Sequence, residues 1–181
     1  LGTHILQFIA APMVHWPEVI MSYEQTEKVL FAADGFGKFG ALCNETDDWA
    51  CEARRYYFNI CGKYGAQVQA VLQKAATLDI RTICPLHGPV LSGDLTPYLS
   101  LYDTWSRYEP ESEGVLVAYA SIHGGTAAAA REFAEMLRAR GAEKVVLSDL
   151  SRSDMAEVIE DAFRYPRLVL AASSYDAGVF P

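Results

Sequence analysis

From residue 115 onward the chain alternates apolar strands with helices, and this alternation restricts the fold more than any other feature. Val115-Leu116-Val117-Ala118-Tyr119 is an almost unbroken apolar run. After it, the patterning predicts a helix over 126–140, a strand over 144–147, a helix over 153–163 and a strand over 168–172. Strands that are apolar on both faces and separated by helices predict a parallel sheet covered on both sides. Immediately before this region, Tyr108-Glu109-Pro110-Glu111-Ser112-Glu113-Gly114 is acidic and broken by Pro and Gly, which predicts a linker. A length of 181 residues admits one domain or two small ones. Two domains are expected, over 1–110 and 111–181.

The first of these has a different texture. Strands are predicted over 4–10, 19–23 and 28–32, the last two joined through Glu24-Gln25-Thr26-Glu27 as a hairpin. Helices follow over 47–61 (capped by Asp47 or Asp48), 66–78 and 95–107, with a short strand over 80–84. Hydrophobic residues make up 51% of the chain and charged residues 21%, enough to bury a core. The net charge of -8 argues against a nucleic-acid binder and against attachment to an anionic membrane by charge. No apolar run reaches the roughly 18 residues of a membrane-spanning helix. Leu1-Gly2-Thr3-His4 has neither a basic segment nor a cleavage site, so no signal peptide is expected. Cys43, Cys51, Cys61 and Cys84 form no CxxC pair, which points to reduced thiols and a cytoplasmic location.

Two loops of the second half have the chemistry of an anion site. Ser121-Ile122-His123-Gly124-Gly125-Thr126 leads from the first apolar strand into a helix. Its glycines allow close backbone approach, Ser121 and Thr126 carry hydroxyl groups, and the first helical turn presents free N–H groups. Without a Walker lysine the loop suits a phosphomonoester better than a nucleoside triphosphate. A plain strand-to-helix turn is the alternative. Ser173-Ser174-Tyr175-Asp176-Ala177-Gly178 follows the last strand, where a Tyr beside small residues suits stacking on a flat ring.

In the first half, three candidate metal ligands each sit in a loop directly after a predicted strand: His15, Asp34 and His87. Loops at one edge of a sheet converge, and two imidazoles with one carboxylate form half a site for iron, zinc or manganese. Ordinary hydrogen-bonding or surface roles are the alternative.

The local words around these residues resemble two known modules in a known order. The Ser121–Thr126 and Ser173–Gly178 loops are similar to the first two flavin loops of the flavodoxins, with His123 at the usual aromatic position and Asp176-Ala177 where Asn-Gly is more usual. Ala11-Pro12-Met13-Val14-His15-Trp16-Pro17-Glu18, the hairpin, Asp34-Gly35-Phe36-Gly37 and Cys84-Pro85-Leu86-His87-Gly88 resemble the metallo-β-lactamase-like domain of the flavodiiron proteins, or A-type flavoproteins. The resemblance covers nearly the whole chain. It implies an α/β fold: the C-terminal part of a metallo-β-lactamase-like αββα domain, then the first half of a flavodoxin-like parallel three-layer αβα domain.

That resemblance also implies roles. His15 and His87 would each bind one iron of a non-haem diiron centre, and Asp34 would bridge the two. Ser121, His123, Gly124, Gly125 and Thr126 would hold the phosphate of flavin mononucleotide (FMN), and Ser173, Ser174, Tyr175, Asp176 and Ala177 would line its ring. The implied reaction is reduction of dioxygen to water or of nitric oxide to nitrous oxide. Electrons would come from a rubredoxin-like or flavin reductase donor, and a head-to-tail homodimer would bring one subunit's flavin beside its partner's irons. The family's HxExDH-type ligand cluster would lie before Leu1 and the third flavin loop after Pro181, so the chain is expected to be an internal piece, marginally stable or dimeric on its own. Two alternatives use the same residues: a zinc-dependent hydrolase of the metallo-β-lactamase superfamily, and a flavin-bearing electron carrier with a vestigial metal half. Trp16, Trp49 and Trp105 are expected to pack internally, with shielding of the metal pocket as a second role for Trp16. Cys84 is expected to be buried, and Glu18 to accept a bond from a ligand imidazole.

Overall fold

A computed structural model describes residues 2–43 and 48–180. The chain divides into two compact units, Leu1–Glu109 and Pro110–Pro181. In the first, β1 (Leu6–Ala10), β2 (Ile20–Glu24), β3 (Val29–Phe31), β4 (Thr82–Cys84) and β5 (Leu91–Ser92) form one sheet in sequential order. The β1/β2, β2/β3 and β4/β5 pairs are antiparallel and the β3/β4 pair is parallel. Strands β1, β3 and β4 therefore all run in the same direction, and their carboxyl ends emerge along one edge.

Period-two patterning sets the register of this sheet. Ile9 pairs with Met21, Tyr23 with Leu30, Leu30 with Ile83 and Ile83 with Leu91, and all of them are buried on one face. On the other face Phe8, Ile20 and Phe31 are exposed. Helices α1 (Trp49–Ile60), α2 (Gly65–Ala75) and α3 (Thr96–Ser106) complete the unit. The side chain of Asp48 caps α1 by accepting from the Ala50 N–H at 3.1 Å; the other candidate cap, Asp47, lies outside the described residues. Tyr57 and Tyr102 sit 5.2 Å apart, Tyr102 and Trp105 5.4 Å, and Tyr57 and Trp105 5.5 Å between ring centroids. Packed aromatic pairs contribute about 0.5–1.5 kcal/mol each beyond their buried area, so this cluster anchors α1 to α3. At Gly65 a Cβ would come within 2.4 Å of the Ser106 carbonyl oxygen, so glycine is required where α2 begins against the end of α3.

In the second unit, β6 (Val115–Ala120), β7 (Val145–Asp149) and β8 (Arg167–Ala172) pair in parallel in the order β7-β6-β8. Helices α4 (Gly125–Ala139) and α5 (Met155–Arg164) connect them. Every residue of β6 is buried. Val115, Val117 and Tyr119 pack with Ala127 and Ala130 of α4, whereas Leu116 and Ala118 pack with Val158 of α5. Alternate side chains of a strand point to opposite faces, so the helices cover the two sides of the sheet as three layers. Strand order reverses at β6, which makes the gap between the ends of β6 and β8 the topological switch point where open parallel sheets bind ligands.

Some local expectations shift. The segment predicted as a linker is held in place: the N–H groups of Glu111 and Ser112 donate to the Arg164 carbonyl at 3.0 and 3.2 Å. The Tyr108 hydroxyl accepts from the Gly65 N–H. A two-residue hairpin, β9 (Ser174–Tyr175) with β10 (Gly178–Val179), and the two-residue strand β5 are too short to leave a periodic signal.

Glu24 closes the β2–β3 hairpin. Burial pushes its carboxyl pKa up, but hydrogen bonds from the backbone N–H groups of Glu27 and Thr26, and from His4, outweigh that and hold it at about 2, against 4.5 ordinarily. A carboxyl group whose folded pKa is depressed contributes stability above its unfolded pKa and loses it as the pH falls through the folded value. Denaturation followed from pH 7 down to pH 2 is therefore expected to show stability falling below about pH 4.5. Glu24→Gln should be less stable at pH 7 and flatter across that acid range. An acid limb of unchanged steepness in Glu24→Gln would refute this role.

Candidate functional site

Asp34 and His87 occupy equivalent positions on neighbouring parallel strands. Phe31 is in register with Cys84, and each candidate ligand follows three residues later. Backbone bonds continue the pairing past the strand ends: Ala32 N–H to Cys84 O at 3.0 Å, Leu86 N–H to Ala33 O at 2.8 Å and Lys38 N–H to His87 O at 3.1 Å. His15 arrives at the same edge from the loop after β1. The three sequence-predicted metal ligands are thus brought together. His15 Nε2 lies 3.5 Å from Asp34 Oδ2, and His87 Nε2 lies 3.4 Å from Asp34 Oδ1.

These separations are longer than the roughly 2.7–3.2 Å of an N–H···O hydrogen bond. They match the spacing of about 3–3.5 Å between neighbouring ligand atoms that each sit about 2.1 Å from a shared ion. Each imidazole faces a different carboxylate oxygen, the pattern of a bridging carboxylate with one histidine on either side. Among the described residues, no three His, Cys, Asp or Glu side chains close around a single point. The arrangement is therefore two imidazole–carboxylate pairs that share Asp34, and among the described residues it is not a closed three-ligand set. The imidazoles border separate cavities, of about 350 Å³ beside His15 and about 470 Å³ beside His87.

The surroundings hold Asp34 firmly. Tyr56 on α1 donates its hydroxyl proton to Asp34 Oδ1 at 3.2 Å. Burial and the nearby Asp34 charge raise the Tyr56 pKa, which keeps it a phenol and a donor. Tyr102 on α3 accepts from the Phe36 N–H at 2.6 Å and stacks on the Phe36 ring at 4.3 Å, fixing the turn that carries Asp34. Met13, Ala33 and Phe36 have positive φ, at 66°, 50° and 64°, although none is glycine. Such residues cost about 1–3 kcal/mol each and persist where surrounding contacts determine them. Burial first, and the Asp34 charge second, push the Cys61 thiol up to about 12, so it remains protonated beside the site.

Other residues near the edge depart from expectation. Trp16 is 64% exposed and meets His15 edge-on at 6.2 Å, so it borders the site and does not pack internally as Trp105 does. Cys84 is half-buried. Glu18 lines the cavity beside His15. Sequence reasoning missed Tyr56, whose only signal was the aromatic run Tyr56-Tyr57-Phe58 on an amphipathic helix.

At the switch point of the second unit, Gly124 adopts φ 87° immediately before α4, a left-handed conformation that favours glycine. Ser121 Oγ accepts from the Gly124 N–H at 3.1 Å, and the N–H groups of Gly125, Thr126 and Ala127 begin the helix. His123 is exposed. The second loop meets the first through Ser173, whose Oγ lies 2.9 Å from Thr126 Oγ1. Ser174 and Tyr175 lie on the β9–β10 hairpin, whose two-residue turn is Asp176-Ala177, at φ 49° and 59°. Two successive positive φ values are those of a type I′ turn, which explains why Asn-Gly suits this position. Tyr175 is 65% exposed beside the gap.

No family model matches the chain. It is 31% identical to diflavin flavoprotein A 2 of Synechocystis sp., over 86% of this chain and 28% of that protein. It is 29% identical to a nitric oxide reductase of Moorella thermoacetica, over 100% of this chain and 47% of that protein. Among solved structures, the flavodiiron protein from Giardia intestinalis superposes with a TM-score of 0.90 at 28% identity, over 99% of this chain and 45% of that one. The α/β architecture of both units is thus that of a flavodiiron protein. The chain spans less than half the length of these relatives.

The Asp176-Ala177 turn yields a prediction. A left-handed alanine costs about 1 kcal/mol relative to glycine. Ala177→Gly should therefore stabilise the hairpin by about 0.5–1 kcal/mol, seen as slower hydrogen exchange of the Phe180 amide, which donates to Ser173 O at 2.8 Å. Unchanged or faster exchange would contradict the turn assignment.

Proposed function

We propose that this chain, which belongs to the flavodiiron (type A flavoprotein) family, supplies half the ligands of a non-haem diiron centre and two of the loops that hold FMN. The observation that carries this reading is the Asp34 carboxylate bracketed by His15 and His87 on its two oxygens. In this reading residues 1–110 are part of the metallo-β-lactamase-like metal domain and residues 111–181 part of the flavodoxin-like domain. The whole protein is a cytoplasmic oxidoreductase that reduces dioxygen to water or nitric oxide to nitrous oxide. When bound, iron offers redox electrons and open coordination positions, and FMN accepts electrons in pairs and passes them on singly.

The residues of the chain do the positioning. His15 and His87 would each offer Nε2 to one metal position. Asp34 holds the two positions together, and its Oδ1 is oriented by the Tyr56 hydroxyl. A bond of this kind fixes the carboxylate before the ion arrives and tunes its basicity. In the second unit, Ser121, His123, Gly124, Gly125 and Thr126 would hold the flavin phosphate at the α4 N-terminus, where N–H groups and the helix dipole favour an anion. Ser173, Ser174, Tyr175, Asp176 and Ala177 would line the ring. The remaining ligands, the third flavin loop, the rubredoxin-like or flavin reductase donor and the head-to-tail homodimer belong to this proposal for the whole protein. Zinc hydrolysis has less support, because the relatives carry flavoprotein and reductase names.

Metal and flavin analysis of the purified protein tests the reading. Iron in excess of zinc, together with bound FMN, is expected. Asp34→Ala should lower bound iron by about tenfold or more, since even indirect partners of a metal site contribute ten- to a hundredfold, and should leave FMN in place. Zinc without flavin would favour the hydrolase, and flavin without metal the carrier; either result overturns the proposal.

A further inference from the structure

One side chain joins the two flavin loops. Ser173 donates its N–H to the Ala120 carbonyl at 3.1 Å, and its own carbonyl accepts from the Phe180 N–H at 2.8 Å. Its hydroxyl accepts from the Ile122 N–H at 3.4 Å and lies 2.9 Å from the Thr126 hydroxyl. Ser173 thus holds the end of β6, the first loop, the first turn of α4 and the β9–β10 hairpin at once.

Either hydroxyl of the Ser173–Thr126 pair can donate, and each arrangement satisfies one hydrogen and leaves the other over. If Thr126 donated, Ser173 Oγ would accept twice and its own hydrogen would have no partner among the described residues. If Ser173 donates, the Thr126 hydrogen is the one left over, at the α4 N-terminus, and an anion bound there selects this arrangement by accepting it. We propose that Ser173 is a positioning residue that directs the chain Ile122 N–H to Ser173 O–H to Thr126 O–H, so that Thr126 presents its proton to the flavin phosphate. Chains of donors polarise one another, and a bond ending on an anion is stronger than a neutral one. Ser173 therefore acts on the phosphate end through Thr126, beside what its loop contributes to the ring. The same link couples the hairpin carrying Tyr175 to the phosphate end, so the pocket reads the phosphate and places the ring through one residue.

The inference rests on the reading of the first loop as the phosphate site, and its test separates the two. Affinities for FMN and for riboflavin, which lacks the phosphate, are measured by quenching of flavin fluorescence in the full chain. Wild type is expected to prefer FMN. Ser173→Ala should weaken FMN about tenfold more than it weakens riboflavin, in the range lost with a hydrogen bond to a charged group. Ser173→Thr should restore the preference. Thr126→Val alone should reproduce the selective loss, and adding it to Ser173→Ala should cost little more, because both interrupt one chain. Equal weakening of both flavins by Ser173→Ala and Thr126→Val, or no weakening, would overturn the relay while leaving the flavin site standing. Wild type that binds neither flavin would overturn the phosphate-site reading and the relay with it.

Discussion

The parallel pairing of β3 with β4 is the constraint on which the metal-centre geometry depends. Once Phe31 and Cys84 are in register, Asp34 and His87 leave the sheet at the same height on adjacent strands. The antiparallel β1–β2–β3 meander then turns β1 the same way and delivers His15 to that edge. A one-residue slip in either pairing would flip side chains between faces and expose Leu30 or Ile83, both of which are buried. The hydrophobic pattern that holds the core therefore also sets the position of the ligands. Strained backbone at Met13, Ala33 and Phe36 is the local cost of turning each loop inward. The Tyr102–Phe36 bond and stack offset part of it.

The second unit uses a different device for the same end. Its central strand is buried on both faces, and the chain covers one side with α4 before crossing to the other with α5. Strand order reverses at β6, and the two polar loops meet at that point. Hydroxyl groups of Ser121, Thr126 and Ser173 line that meeting point, and glycine at 124 lets the backbone turn into the helix. The outer strand β8 leaves Leu168 and Leu170 exposed, as the first sheet leaves Phe8, Ile20 and Phe31.

Much of this was legible because it depends on short-range pattern. Apolar runs at 115–119 and 168–172 exposed the parallel sheet, and the position of His15, Asp34 and His87 just after strands predicted their convergence. What stayed hidden depends on contacts distant in sequence. Tyr56 reaches Asp34 across 22 residues and Tyr102 reaches Phe36 across 66, and neither spacing carries a periodic signal. Trp16 looked like a core residue by type, yet the proline on its C-terminal side and the turn at Met13 leave it facing outward. The β9–β10 hairpin carries no cue in the sequence because Asp-Ala is a poor type I′ turn and the usual Asn-Gly pair is absent.

If Asp34 bridges two metal positions with one histidine of this chain at each, iron bound to the protein divides between its two carboxylate oxygens. Crystals of the iron-loaded protein, with anomalous scattering recorded on either side of the iron absorption edge, test it most directly. Two iron peaks are expected, one between His15 Nε2 and Asp34 Oδ2 and the other between His87 Nε2 and Asp34 Oδ1. A single peak bound by all three side chains, or iron located away from Asp34, would contradict it.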